Sequence, residues 1–135
     1  TLFRSGALLT NKNIFSNLKA INSALNLTNK ERVLLFLPFY HSYIFTVNLL
    51  TPIYIGASIV IPTSFNFKDI ILKILKKRVT IFVAIPEVYK ALAKAKLPWF
   101  FYKFNKIKYF VSGSSSLNKQ TLSLMHKKFP KAVLI

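Results

Sequence analysis

The fold of this chain is indicated most directly by one stretch, which reads Val79-Thr-Ile-Phe-Val-Ala-Ile-Pro86-Glu-Val-Tyr-Lys-Ala-Leu-Ala-Lys94. Its first half, 80–84, is a β-branched apolar run, typical of a strand buried on both faces of a parallel sheet. Its second half, 87–94, has the composition of a helix. Pro86 suits the first turn of that helix, because the N–H that proline lacks has no partner there. The stretch therefore predicts a strand followed directly by a helix.

The same alternation continues on both sides of this unit. Residues 97–108 are interpreted as an aromatic-rich connector. The other predicted elements are a helix from Thr10 to about Leu25, a strand at 33–37, a helix at about 42–54, a strand at 57–61, a helix at 69–77, a strand at 109–111, a helix at 118–128 and a strand at 132–135. Strands that alternate with helices across short loops predict βαβ units. We expect an α/β fold, with a mainly parallel sheet and helices on both faces.

Residues 33–67 contain no Lys, Arg, Asp or Glu, and a run of this length also suits a membrane span. Pro38, Pro52, Gly56 and Pro62 interrupt the run, however, which favours the strand–helix–strand interpretation. The run leaves one alternative function class open: a basic integral or peripheral membrane protein without enzymatic activity.

The chain is strongly basic, with 20 Lys and Arg against three acidic residues, Glu31, Asp69 and Glu87. A net charge of +17 is typical of proteins that bind nucleic acid or anionic membranes. The lysines are dispersed, however, and Lys, Asn, Ile and Phe, all abundant here, share A/T-rich codons. We interpret the lysines as solvated helix faces and expect no nucleic-acid partner. The absence of Cys excludes disulfides, thiolate metal sites and a Cys nucleophile, and fits a cytoplasmic protein.

Two positions suit a binding or catalytic site. His41 follows a predicted strand, and ligands of parallel α/β sheets bind beyond the carboxyl ends of strands. From position alone, a buried structural histidine is an equal alternative. The loop Ser112-Gly-Ser-Ser-Ser116 also lies between a strand and a helix. Its small residues suit a ligand close to the backbone, or else a capping loop in which Ser116 or Asn118 caps the helix.

Five motifs, taken together in order and spacing, resemble a known family. They are Gly6-Ala-Leu-Leu-Thr10-Asn-Lys-Asn13, Leu37-Pro-Phe-Tyr-His41-Ser, Tyr54-Ile-Gly56-Ala-Ser-Ile-Val-Ile61-Pro, Val79-Thr-Ile-Phe-Val-Ala-Ile-Pro86-Glu-Val-Tyr89 and Val111-Ser-Gly113-Ser-Ser-Ser-Leu117. The chain closely resembles the AMP-forming acyl-adenylate enzymes, which include acyl-CoA synthetases, acyl-carrier-protein synthetases, coumarate ligases and luciferases. The resemblance covers residues 6–135.

The resemblance implies both a fold and a reaction. Residues 6–135 would be a partial adenylation domain, within the large N-terminal domain of such an enzyme. ATP with Mg²⁺ and a small carboxylate, a fatty acid by preference, would form an acyl-adenylate. The thiol of coenzyme A or of a carrier-protein phosphopantetheine would then take the acyl group. The implied location is the cytoplasm, with peripheral membrane contact and an acyl carrier protein as open options.

The resemblance also implies roles for individual residues. His41 matches the catalytic histidine at the carboxylate and thioester site, and Tyr43 matches an aromatic residue of the acyl pocket. The loop against the adenine and the acyl chain is matched by Ser112, Gly113, Ser114 and Ser115. The wall of the acyl pocket is matched by Ala84, Ile85 and Pro86, and the end of the phosphate loop by Gly6. No residue of this chain is assigned to a metal.

The chain departs from the family pattern in three places. The family often has Gly-Gly-Ala-Pro where this sequence has Gly113-Ser-Ser-Ser. Residues 1–5, Thr-Leu-Phe-Arg-Ser, resemble a translated sequencing adaptor and stand where the phosphate loop would end in Pro-Lys-Gly. The motif Tyr-Gly-x-Thr-Glu, whose Glu is the expected Mg²⁺ ligand, would follow Ile135. We therefore expect an internal fragment that is inactive as a ligase by itself.

Overall fold

Five parallel strands form one sheet in the order β2-β1-β3-β4-β5. The computed structural model describes residues 8–113 and 116–135, so the predictions for residues 1–5, Gly6, Ser114 and Ser115 lie outside the described residues. The strands are β1 (Arg32–Leu34), β2 (Ser58–Val60), β3 (Ile81–Ala84), β4 (Tyr109–Ser112) and β5 (Val133–Leu134). The predicted parallel α/β fold is confirmed.

Strand β3 lies at the centre of the sheet, and all four of its residues are buried. It pairs with β1 through Val33↔Ile81 and with β4 from Ile81↔Tyr109 to Ala84↔Ser112. Four of these strands are shorter than predicted, and β4 is one residue longer. The first ends at Leu34 because the backbone after Leu35, whose N–H still bonds to the Val60 carbonyl at 2.9 Å, turns away toward Pro38.

Three of the described helices begin after a residue whose side-chain oxygen accepts a free N–H of the first turn. Thr10 and Asn13 form a reciprocal capping box, and Asn66 and Asn118 each cap a helix through their side chains. The helices are α1 (Asn11–Leu25), α2 (Ser42–Ile44), α3 (Thr51–Ile55), α4 (Phe67–Lys76), α5 (Pro86–Lys94), α6 (Trp99–Phe104) and α7 (Lys119–Lys128). A π-helical turn, Phe45–Leu50, joins α2 to α3.

Successive strand residues face opposite sides of the sheet, which gives two apolar cores. On one side the core contains Leu34, Phe82, Phe110 and the buried faces of α4, α5, α6 and α7. On the other side Val33, Ile81 and Val83 pack with Ile44, with residues of the π-helical turn and with Ile55 of α3. Helices therefore cover both faces, which explains why the strands are continuously apolar.

The uncharged segment 33–67 is divided as predicted into strand, helical segment and strand. Among the described residues, every helix is too short or too polar to cross a membrane. Gly56 ends α3 with a φ of +70°, a left-handed conformation that glycine adopts without strain, and β2 follows two residues later.

The interpretation of residues 97–108 as a connector is wrong for 99–104, which form α6. This helix is aromatic on nearly all sides and therefore lacks the apolar–polar periodicity that reveals a helix in sequence. Tertiary packing holds it in place. Phe101 is fully buried in the core and packs edge-on against Phe129, at 6.2 Å between ring centroids. The Asn105 amide bonds to the last-turn carbonyls of Phe101 and Tyr102 and closes the helix.

Candidate functional site

The candidate site lies at the carboxyl edge of the sheet, between β1 and β3. The chain that leaves β1 runs over one face of the sheet through α2 and α3. The chain that leaves β3 runs over the other face through α5. Open parallel sheets bind their ligands in the crevice that forms where strand order reverses in this way. The loops that follow β1, β3 and β4 all meet at this edge.

His41 lies at the start of the helical segment that follows β1, and its side chain is exposed. Its carbonyl accepts the Phe45 N–H at 2.8 Å, and its ring lies against Tyr40, with 4.6 Å between ring centroids. The exposed position is incompatible with the alternative of a buried structural histidine. It leaves the imidazole accessible to a ligand in the crevice.

A cavity of about 390 Å³ opens beside His41. Its lining is apolar apart from His41 and the hydroxyl groups, and it consists of Leu37, Pro38, His41, Ser42, Tyr43, Ile44 and Ile85. The loop after β1 and the residue after β3 thus supply a single cavity. Ile85 is the predicted acyl-wall residue that reaches it, whereas Ala84 and Pro86 are buried behind it, at the end of β3 and the start of α5.

Tyr43 and Gly113 come from distant parts of the sequence and pack directly on each other. A Cβ placed on Gly113 would lie 2.7 Å from Tyr43 Cδ1 and would overlap Cε1 and Cζ more severely. The Tyr43 ring therefore occupies the space that a side chain at position 113 would need. The Gly113 N–H bonds to the Ala84 carbonyl at 3.3 Å, which fixes this loop to the end of β3.

Two hydroxyl oxygens at this edge are buried and have no hydrogen-bond partner within the described residues, Tyr43 Oη and Ser112 Oγ. Partial burial raises the pKa of Tyr43 above its ordinary value, which is already high enough to keep the hydroxyl protonated at neutral pH. Buried hydroxyls without partners are costly, and at a functional edge they are natural partners for a bound ligand. Both oxygens belong to residues that the sequence predicted for the site.

Tyr89 supports the site from inside the fold, and the sequence-based prediction missed it. Its hydroxyl lies 2.9 Å from the carbonyl oxygens of Phe82 in β3 and Val111 in β4, so its single proton is shared between two strands. Burial, reinforced by Tyr43 nearby, raises the pKa of Tyr89 well above its usual range. The sequence feature that could have indicated this role is the position of Tyr89 in the first turn of the helix that follows the central strand.

Asn48 is a second residue that was missed. It is fully buried in the π-helical turn, and its amide nitrogen donates to the Leu34 carbonyl at 2.8 Å. This bond fastens the helical segment that carries His41 and Tyr43 to the end of β1. π-helical turns are frequent at functional sites. The sequence feature that could have indicated this role is a single amide side chain within an otherwise apolar run.

The described residues fit some parts of the implied cofactors and not others. Tyr43 Oη and Ser112 Oγ suit an uncharged polar group such as a base or a ribose. No Lys or Arg lines the cavity of His41, and residues 8–113 and 116–135 contain no group of three His, Asp or Glu that would hold a metal ion. We therefore assign no role toward phosphate or Mg²⁺ to these residues.

The sequence profile of the AMP-binding enzyme family matches residues 5–135. The chain belongs to this family. Among curated relatives, it is 28% identical to 4-coumarate–CoA ligase 2 of Solanum tuberosum over 133 residues. That alignment covers 96% of this chain and 24% of the relative. The chain thus spans about a quarter of the length of the curated relatives it matches.

Two solved structures support the fold of this member of the AMP-binding enzyme family. A malonyl-CoA ligase with methylmalonyl-CoA and AMP bound superimposes with a TM-score of 0.83 at 20% identity, over 95% of this chain and 28% of that one. A fatty acyl-adenylate ligase from L. pneumophila, in complex with acyl adenylate and pyrophosphate, gives a TM-score of 0.76 at 21% identity, over 93% and 23%. The expected family and its parallel α/β fold are therefore confirmed.

Proposed function

We propose that the protein containing this chain is an AMP-forming carboxylate–thiol ligase that requires ATP and Mg²⁺. In the first step a carboxylate oxygen attacks the α-phosphorus of ATP, the P–O bond to pyrophosphate breaks, and an acyl-adenylate forms. In the second step a thiol loses its proton and attacks the acyl carbon, the C–S bond forms, and AMP leaves. The observation that supports this best is the meeting of His41, Tyr43 and Gly113 at the carboxyl edge, in a chain of the AMP-binding family.

The chain's own residues take distinct parts in this proposal. His41 lies at the cavity with an accessible imidazole, where it can hold or move a proton at the reacting carboxylate or thioester. Tyr43 and Ile85 form part of the acyl wall, with Ala84 and Pro86 behind them. Ser112 and Gly113 contribute the described half of the loop proposed for adenine, and Ser114 and Ser115 complete that loop by resemblance.

We infer that the carboxylate substrate has an apolar acyl chain and that fatty acids are the preferred substrate class. No carboxylate, Lys or Arg lines the cavity, and Leu37, Pro38, Ile44 and Ile85 give it a hydrocarbon surface. Burying each methylene of an acyl chain against such a wall contributes about 0.8 kcal/mol. The acceptor thiol is that of coenzyme A or of an acyl carrier protein, and the expected location is the cytoplasm.

Pyrophosphate exchange into ATP tests the proposal. The protein is produced in the longest form that its gene encodes and assayed with a series of fatty acids, 4-coumarate, malonate and a no-acid control. Exchange that needs an apolar carboxylate is the expected result, and exchange with malonate alone would overturn the substrate class. No exchange with any carboxylate, by a protein that folds, would overturn the ligase itself.

The 135-residue chain serves as the comparison in this assay. We expect no exchange from it, because removal of phosphate and metal contacts each withdraws charge stabilisation of several kcal/mol from the transition state. Exchange by this chain at the rate of the longest form would contradict that expectation.

A further inference from the structure

A surface at the opposite edge of the sheet combines exposed aromatic rings with lysines. We call it the aromatic–lysine surface, and its members are Trp99, Phe100, Lys103, Phe104, Lys106, Lys127 and Lys131. Lys106 lies just before β4, Lys127 near the end of α7, and Lys131 just before β5. The surface therefore lies toward the amino edge of the strands, away from His41.

The aromatic rings on this surface are held outward by the core. Trp99 is 70% exposed, Phe104 57% and Phe100 41%, although all three belong to one short helix. Phe101, between them, is completely buried and anchors α6 against the sheet. Single exposed apolar side chains are common on protein surfaces, but three large exposed rings on one short, anchored helix are unusual.

The charge on this surface has one sign. Two adjoining cavities, of about 730 and 300 Å³, share Tyr102, Lys103, Lys128 and Pro130. Among the described residues that line them there is no Asp or Glu, but there are six lysines: Lys103, Lys106, Lys108, Lys127, Lys128 and Lys131. Two of these have internal partners, since Lys108 pairs with Glu31 and Lys128 donates to the Ala95 carbonyl, each at 2.7 Å.

We propose that the aromatic–lysine surface binds a membrane surface that contains anionic phospholipids. Trp and Phe rings favour the zone between headgroups and acyl chains, and nearby lysines are attracted to anionic headgroups. A single-stranded nucleic acid is the competing polyanion, and it needs free ring faces for stacking. Lys103 Nζ lies 5.8 Å from the Trp99 centroid and 5.6 Å from the Phe104 centroid, so faces of both rings already carry a cation.

The location of the aromatic–lysine surface allows membrane binding without blocking the candidate site. Because His41 and Gly113 lie at the carboxyl edge, a protein bound through the amino edge keeps its crevice open. A membrane-bound enzyme of this kind would be concentrated at the bilayer that holds apolar carboxylates, with its acyl cavity on the side that faces away from the lipid. This consequence rests on the proposed function, whereas the binding itself does not.

Vesicle co-sedimentation tests the contact with the longest form of the protein that its gene encodes. Phosphatidylcholine vesicles are compared with vesicles in which about a third of the lipid is phosphatidylglycerol. We expect binding to the anionic vesicles only, weakened at high salt because exposed charges are screened. The substitution Trp99→Ala with Phe104→Ala should weaken binding at least tenfold, and the set Lys103→Gln, Lys106→Gln, Lys127→Gln and Lys131→Gln should do the same.

A matched control uses four exposed lysines elsewhere, Lys12→Gln, Lys19→Gln, Lys30→Gln and Lys68→Gln, which remove the same charge. Equal weakening by both lysine sets would overturn the assigned surface in favour of net charge. So would anionic vesicle binding that the Trp99/Phe104 variant retains, or tighter binding to single-stranded DNA than to vesicles. Absence of vesicle binding would overturn the proposal too, including the case in which another part of the protein covers α6.

Trp99 gives an independent signal, as the only tryptophan of these 135 residues. Its emission should shift to the blue when anionic vesicles are added, and the conservative variant Trp99→Phe should lose that component while it still sediments. An unshifted emission despite sedimentation would place the contact elsewhere. None of these measurements requires ATP or a carboxylate, so their failure is distinct from failure of the ligase assay.

Discussion

The two edges of the parallel sheet differ in how their buried polar groups are partnered. At the amino edge, Glu31 Oε1 pairs with Lys108, the Arg32 N–H bonds to the Thr80 hydroxyl, and the Tyr109 hydroxyl bonds to the Leu25 carbonyl. Of the Glu31 carboxylate, Oε2 has no partner within the described residues. At the carboxyl edge, Tyr43 Oη and Ser112 Oγ are buried without partners beside an open cavity. The polar contacts at the amino edge therefore join segments of the fold, whereas the carboxyl edge presents two unpartnered hydroxyl groups next to a cavity.

The largest effect is expected from Gly113→Ala, which acts on the carboxyl edge. The new methyl group would overlap the Tyr43 ring, and such overpacking costs about 1–3 kcal/mol when the neighbours cannot move. Adenylate formation should fall at least a hundredfold, because the ring shifts toward the cavity. Denaturant unfolding and pyrophosphate exchange measure the two effects.

A double-mutant cycle sharpens that result. If Tyr43 is the obstacle, then Gly113→Ala should cost much less stability in a Tyr43→Ala background. An equal cost in both backgrounds would show that the collision is not what makes glycine necessary at position 113.

Next in size is His41→Ala. The side chain is exposed, so unfolding free energy should change by less than about 0.5 kcal/mol. Adenylate or thioester formation should slow by about a hundredfold or more, within the usual range for loss of a general acid or base. His126→Ala, at the other histidine, is the matched control. Unchanged turnover in His41→Ala would remove the catalytic assignment.

Lys108→Met probes the amino edge and should change stability but not chemistry. It leaves Glu31, which is 2% exposed, without its cation. Because the Lys108 side chain is itself about half exposed, solvent lessens the cost to about 1–2 kcal/mol, below that of a fully buried pair. Thermal unfolding measures it, and adding Glu31→Gln should restore part of the loss. A decrease in kcat that the loss of folded protein does not account for would contradict the proposed difference between the two edges.

The smallest effect on stability is expected from Tyr43→Phe. Removal of a buried hydroxyl that has no partner should leave stability unchanged at pH 7 or raise it slightly. Burial raises the folded pKa of Tyr43 above the unfolded value of about 10, so its contribution is complete below pH 10 and is lost as the pH rises further. Wild type should therefore lose more stability than the variant above pH 10. Loss of adenylate formation in Tyr43→Phe would show that a ligand uses the hydroxyl.

Much of the fold could be predicted because its periodicities are strong. Thr80–Ala84 is uninterrupted and β-branched, and the capping residues Thr10 and Asn118 lie where helices begin. Strand ends were predicted less well, since they depend on where the pairing with a neighbouring strand stops. Pairing of β1 with β2, for example, stops at the bond from the Leu35 N–H to the Val60 carbonyl. Helix α6 was missed because its anchor, Phe101, packs in the core against Phe129, which is distant in sequence, and no local pattern marks the helix.

The candidate site was predicted in its parts. His41, Tyr43 and Gly113 follow strands, and motif order pointed to them. The sequence did not show how these parts meet, because the contacts form between segments that are far apart in sequence. They are the packing of Tyr43 on Gly113, the cavity shared by His41 and Ile85, and the support from Asn48 and Tyr89.

The sequence by itself determined that this chain forms βαβ units of the AMP-binding family, because strand burial, helix capping and motif spacing are local properties that each segment carries alone. Only the tertiary structure decided which edge of the sheet holds unpartnered hydroxyls, why residue 113 must be small, and where aromatic rings and lysines gather. Those features depend on strand order and on side chains brought together across the sheet, and no local pattern encodes such distances.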